Sequence, residues 1–108
     1  MKNNNNFKKV SGFNDKFSDE VSITNQLDSK FFDFTTLWGY EKIDTPIIER
    51  SSIFSRKSGS SIGSNIYNFI DPSGSEVSLR ADFTTSIIRS YIENELSPNE
   101  MRFSYSGE

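Results

Sequence analysis

Between Ser18 and Trp38, Val21, Leu27, Phe31, Phe34 and Trp38 recur every three or four residues, with Thr24 in the remaining gap. That spacing predicts a helix with a buried stripe on one side. Asp19 and Glu20 suit the first-turn dipole, and Gly39 is a natural stop just past the last turn. Tyr40 to Thr45 reads as a short strand that Pro46 terminates, and Ile47 and Ile48 continue extended. Ser51 to Lys57 predicts a short helix with Ile53 and Phe54 inward. Ile66 to Ile70 and Glu76 to Ala81 flank Asp71-Pro72-Ser73-Gly74, where proline presets φ and glycine opens it, so the three pieces predict a β-hairpin. In the return strand Val77 and Leu79 alternate with polar Glu76, Ser78 and Arg80, as on a half-buried strand. Beyond Asp82 the period changes: Ile87, Ile88, Tyr91 and Ile92 mark one face of a helix that reaches Leu96 before Ser97-Pro98 breaks it. Met101 to Tyr105 alternates once more and begins another strand.

This order of elements predicts an α+β domain built on an antiparallel sheet with flanking helices. Residues 1–9, asparagine- and lysine-rich, are expected to be a disordered tail, leaving residues 10–108 as the domain. Because the last strand is followed by no closing element, the domain is expected to be partial. Composition narrows the chemistry. Ten phenylalanines against one alanine, Ala81, mean that any core rests on large side chains. The net charge of -3 disfavours a phosphate-binding surface. With neither cysteine nor histidine, the chain has no disulfide, no thiolate or imidazole metal ligand, and no Ser-His-Asp or Cys-His catalysis. No cofactor is expected. The N-terminus lacks the apolar core of a signal peptide and no run is long enough to span a membrane, so a cytoplasmic location is expected.

The polar positions of interest lie where strand becomes helix. Asp82 is a good N-cap whose carboxylate can accept from the amides of Thr84 and Thr85. Asp82 and Thr84 together also offer an acid and a hydroxyl two residues apart, which suits an ammonium group. The residues alone leave both readings open. Arg80 and Arg89 read as solvated or ion-paired. The loop Ser58 to Ser64 has two glycines but no Lys-Ser/Thr ending, so it reads as a plain loop rather than a phosphate cradle.

Four stretches carry a family resemblance. Gly12-Phe13-Asn14-Asp15 resembles an opening Gly-x-x-Asp. Gly39-Tyr40-Glu41-Lys42-Ile43-Asp44-Thr45-Pro46 with Glu49 resembles motif 1 of the class II synthetase fold. Tyr67-x-Phe69-x-Asp71-x-x-Gly74 followed by Leu79-Arg80-x-Asp82-x-Thr84 is the most specific, and Met101-Arg102-Phe103-x-Tyr105-x-Gly107 resembles the strand entering motif 2. In this order they resemble histidyl-tRNA synthetase and its catalytically silent relative, the regulatory subunit of ATP phosphoribosyltransferase. The resemblance implies that Asp82 and Thr84 hold the α-amino group of histidine.

Of the two families, the Leu-Arg-x-Asp-x-Thr form is commoner in the regulatory subunits. The resemblance therefore implies a non-catalytic subunit for the first step of histidine biosynthesis. Its partner would be the short catalytic ATP phosphoribosyltransferase, with free histidine as feedback effector. The alternative is an N-terminal fragment of histidyl-tRNA synthetase, and only there would nucleic acid be a partner. The motif 2 arginine and motif 3 are not among these residues, so the chain is expected to catalyse nothing alone. Motif 1 further implies a homodimer through residues 18–46, with Phe32, which falls off the helical stripe, as an interface ring.

Overall fold

The computed structural model describes residues 5–55, 66–96 and 101–108. After a 3-10 turn at Asn5–Phe7 come α1 (Ser18–Leu37), β1 (Glu41–Lys42), β2 (Ile48–Arg50), α2 (Ser52–Ser55), β3 (Asn68–Ile70), β4 (Glu76–Leu79), α3 (Phe83–Glu93) and β5 (Phe103–Ser104). Each expected element is present and most are shorter than expected. The loop at 58–64 and the helix break at 97–98 lie outside the described residues.

The hairpin forms as its turn residues require. Asp71 N–H donates to the Ser75 carbonyl (2.9 Å), Gly74 N–H donates to the Asp71 carbonyl (2.9 Å), and Gly74 takes φ +86°. β3 and β4 pair antiparallel with Phe69 opposite Val77, and β2 adds to the other side of β4 with Glu49 opposite Ser78. The resulting three-stranded sheet has the order β2-β4-β3. A second, parallel pair joins β1 to β5, with Glu41 opposite Phe103. Parallel pairing leaves no mark on the spacing of either strand, so the sequence gives no sign of it.

α1 ends where Gly39 allows. Gly39 adopts φ +79°, its N–H donates to the Thr36 carbonyl, and Tyr40 N–H donates to the Thr35 carbonyl. This two-bond closure ends the helix through a left-handed residue that only glycine adopts cheaply.

The packing reverses the expected faces. α1 turns Asp28, Phe32 and Thr35 inward: Thr35 Oγ1 donates to Ser104 Oγ (3.1 Å), Ser106 Oγ donates to Asp28 Oδ1 (2.6 Å), and the Lys42 ammonium sits 4.3 Å from the Phe32 ring centre. The apolar stripe expected to be buried is exposed instead, with Leu27 at 62%, Phe34 at 60% and Trp38 at 63%. Phe32 thus packs inside the domain and Phe34 outside it, the opposite of the sequence-based assignment. On α3 the apolar face is split, with Ile87 and Tyr91 half-buried. Thr85 and Ser86 are buried, while Ile88 and Ile92 face solvent. Ser78, expected on the open face of its strand, is fully buried because it shares a face with Glu49, and α3 reaches that face.

Buried hydrophobic side chains among the described residues are Phe54 and Val77. The chain exposes 9144 Å², whereas a compact monomer of its 12.3 kDa exposes about 6,100 Å². Its radius of gyration is 17.8 Å, against about 13 Å for a compact domain of this length. The apolar face of α1 is thus surplus to this fold's own packing.

The hairpin turn makes a pH-dependent contribution. Asp71 Oδ1 accepts from Ser73 Oγ (2.6 Å), Ser75 N–H (2.9 Å) and Ser73 N–H (2.9 Å). These bonds, the Ser73 hydroxyl foremost, hold its carboxyl below the ordinary range. A carboxyl depressed by folding stabilises above its unfolded value of about 3.9, and the contribution is lost as pH falls through the lower folded value. Carboxyl-detected NMR should therefore give Asp71 a midpoint below about 3.9. A midpoint at or above that value would break the link.

Candidate functional site

The strand-to-helix junction between β4 and α3 is built by backbone and side chain together. Arg80 N–H donates to the Ile47 carbonyl (2.9 Å) and ties the end of β4 to the segment before β2. Asp82 is extended, at φ -151° and ψ 165°, and caps α3. Its Oδ1 accepts from Thr85 N–H (2.7 Å) and its Oδ2 from the Thr85 hydroxyl (3.1 Å). The expected cap is present and runs to Thr85, with no bond from Thr84. Asp82 remains exposed, and each carboxylate oxygen keeps a second lone pair for an incoming donor. Thr84 is also exposed, and its Oγ1 lies 3.4 Å from the hydroxyl of Tyr105.

Three planar groups stack beside this point. The Arg80 guanidinium carbon is 4.2 Å from the Phe83 ring centre, and the Phe83 and Tyr105 rings stack at 5.0 Å with 24° between planes. The sequence-based expectation of a solvated or side-chain-paired Arg80 is replaced by contacts to main-chain oxygens and to a ring, with the side chain half-buried. Its Nη1 donates to the Thr45 carbonyl (3.0 Å), and its Nε (3.1 Å) and Nη2 donate to the main-chain oxygen of Glu108, the last residue of the sequence. Fixed carbonyls and an aromatic face suit a planar guanidinium better than bulk water does. Gly107 fits closely against the stack, since a Cβ there would stand 3.4 Å from Arg80 Nη2 and from the Phe83 ring.

Arg89 is ion-paired, as its reading allowed. Nε donates to Glu49 Oε2 (3.1 Å) and Nη2 to Glu49 Oε1 (2.7 Å), a two-pronged contact, while Nη1 reaches Glu93 Oε2 (2.5 Å). Glu49 is 7% exposed. Its bonds to Arg89, foremost among the causes, push the guanidinium pKa up. Among the described residues no cluster of acidic side chains is arranged to hold a metal ion. No helix there is long and apolar enough to cross a membrane.

Residues 12–108 match the histidyl-tRNA synthetase family model. The chain belongs to the histidyl-tRNA synthetase family. It is 40% identical over 104 residues to the histidine–tRNA ligase of Phytoplasma mali (strain AT), covering 93% of this chain and 25% of that protein. It is 40% identical over 88 residues to that of Rickettsia akari (strain Hartford), covering 79% of this chain and 21% of the relative. Apo S. aureus histidyl-tRNA synthetase superposes with a TM-score of 0.79 at 25% identity, over 93% of this chain and 24% of that one. A Bacillus halodurans protein described as an ATP phosphoribosyltransferase regulatory subunit/histidyl-tRNA synthetase superposes with a TM-score of 0.71, over 94% of this chain and 27% of that one. At 22% identity this second likeness is one of fold. The chain spans about a quarter of the length of the relatives it matches.

Within the histidyl-tRNA synthetase fold, the expected α+β architecture with an antiparallel sheet is present. Asp82 caps α3 and Thr84 lies in its first turn. The stack of Arg80, Phe83 and Tyr105 was not foreseen. Its members are 22 residues apart (Phe83 to Tyr105), and no local period signals a contact of that range.

The Glu49–Arg89 pair gives a direct test. Arg89→Ala should destabilise the chain by about 3 kcal/mol because it strands the buried Glu49 carboxylate, and Glu49→Ala should cost less because Arg89 keeps Glu93. The double variant should cost less than the sum of the two. Additive losses in urea unfolding would show that the pair does not act as a unit.

Proposed function

We propose that this chain supplies the histidine-recognising and dimer-forming part of a histidyl-tRNA synthetase. The observation that carries this reading is the placement of Asp82 and Thr84, both exposed at the head of α3, within a chain that matches the family over residues 12–108. An ammonium has three donors. A carboxylate with lone pairs left over from capping accepts one, and the neighbouring hydroxyl accepts another. In the whole enzyme the bound histidine would be activated with ATP and passed to its tRNA. Residues outside this chain would supply the charge stabilisation that adenylation needs.

A second reading rests on the Leu-Arg-x-Asp-x-Thr form and on the doubly described Bacillus halodurans neighbour. Here the chain belongs to a regulatory subunit of ATP phosphoribosyltransferase, and the same site senses histidine for a short-form catalytic partner. Two assays of the intact protein separate the readings. Histidine-dependent pyrophosphate exchange supports the synthetase; histidine-sensitive activation of the catalytic subunit supports the regulator.

The bare face of α1 supports the dimer. Leu27, Phe34 and Trp38 are exposed along one side, and Phe34, Trp38, Tyr40 and Arg102 line a groove of about 380 Å³ at its end. A second copy of the same helix would cover that face.

Two outcomes follow. Asp82→Asn should weaken histidine binding about ten- to a hundredfold by calorimetric titration, the loss of a charge-assisted bond. The melting temperature should hold, because asparagine caps a helix about as well as aspartate. Unchanged affinity removes Asp82 from the site. Separately, light scattering should give the wild-type chain a dimer mass and Phe34→Glu the monomer mass of 12.3 kDa. If Phe34→Glu leaves the mass unchanged, the interface lies elsewhere.

A further inference from the structure

Thr84 can accept a bond from an ammonium with its full lone-pair capacity only if its own proton is directed elsewhere. The hydroxyl of Tyr105, 3.4 Å away, is the acceptor the structure places within reach. That tyrosine is held from its other side. Its ring stacks on Phe83 at 5.0 Å, Phe83 stacks on the Arg80 guanidinium at 4.2 Å, and Arg80 is bonded to the Thr45 carbonyl and the main-chain oxygen of Glu108. The position of the Tyr105 hydroxyl is thus set by a column of three planar groups, anchored through Arg80 on the Thr45 carbonyl. Stacking alone would need a ring at position 105 and no hydroxyl. The approach of Tyr105 Oη to Thr84 is what distinguishes the arrangement.

We propose that Tyr105 is a positioning residue for the ammonium site: its hydroxyl takes the Thr84 proton and turns the Thr84 lone pairs toward the amino group of the bound amino acid. This rests on the reading of Asp82 and Thr84 as the amine-binding pair. It predicts that Tyr105 acts on the amine end of the ligand and not on the ring end. It also predicts that Tyr105 acts only through Thr84.

The test uses the full chain, followed by amide NMR shifts during titration. Three probes are used: histidine, histidinol (which keeps the ammonium and lacks the carboxylate) and imidazolepropionate (which lacks the ammonium). Tyr105→Phe keeps the ring and the stack, so its melting curve should match wild type. Its affinity for histidine and histidinol should fall about three- to tenfold, the scale of one neutral hydrogen bond, while that for imidazolepropionate stays the same. Thr84→Val should weaken both amines, and adding Tyr105→Phe to it should change nothing further. If Tyr105→Phe destabilises the chain, this cycle still decides, because additive losses in the double variant overturn the proposal. Equal losses on all three probes also overturn it and leave Tyr105 a purely structural ring. If Asp82→Asn weakens amine binding and Tyr105→Phe does not, the proposal falls and the amine reading stands. If wild type takes up no histidine, or neither variant alters uptake, the amine reading falls and takes the proposal with it.

Discussion

The contact between Glu49 and Arg89 fixes helix α3 on the three-stranded sheet. The seam it crosses is thin in apolar material. α3 buries Thr85 and Ser86 there, and the Ser78 hydroxyl below is enclosed and has no hydrogen-bond partner. Small side chains allow helix and strand to approach closely but contribute little hydrophobic stabilisation. The two-pronged pair supplies direction instead. Sliding α3 by one turn, about 5.4 Å, would break both bonds and strand a carboxylate that is 7% exposed. Desolvation makes such a pair a modest source of net stability and a strict source of register. Asp82 lies about two turns upstream of Arg89 on the same helix, so that register also sets where the cap and Thr84 stand.

Much of this was legible in the residues. The hairpin followed from proline, glycine and the alternation around them, and the cap followed from Asp82 at a change of period. Helix α1 was legible in extent, since Gly39 closes it through its left-handed conformation. The orientation of α1 was not legible. Periodicity identifies which residues share a face but says nothing of what that face meets. Here the polar face with Asp28, Phe32 and Thr35 meets the domain, because Ser104 and Ser106 offer hydroxyls there and β1 offers Lys42. A buried stripe was inferred on the assumption that the nearest cover is the chain's own.

The candidate site divides along the same line. Asp82 and Thr84 are two residues apart, so their proximity is a local property that a sequence displays. Tyr105 joins the nearby Arg80 and Phe83 only through the tertiary fold, and each alone resembles an ordinary surface residue. Arg80 illustrates the difference. A lone arginine defaults to solvent or to an acid. Two main-chain oxygens and a ring placed by three separate segments give it a third option that no spacing announces.

The parallel pairing of β1 with β5 bears on the order in which the chain can assemble. Glu41 pairs with Phe103, and the hydroxyl that receives Thr35 belongs to Ser104. On a ribosome, α1 emerges early, with its aromatic face open, and has to wait for nearly the whole segment to be made before its docking strand exists. Closing so long a loop is entropically costly and slow compared with helix formation. The strand, when it arrives, covers the side of α1 with Asp28 and Thr35, so the face with Phe34 and Trp38 stays open before that closure and after it.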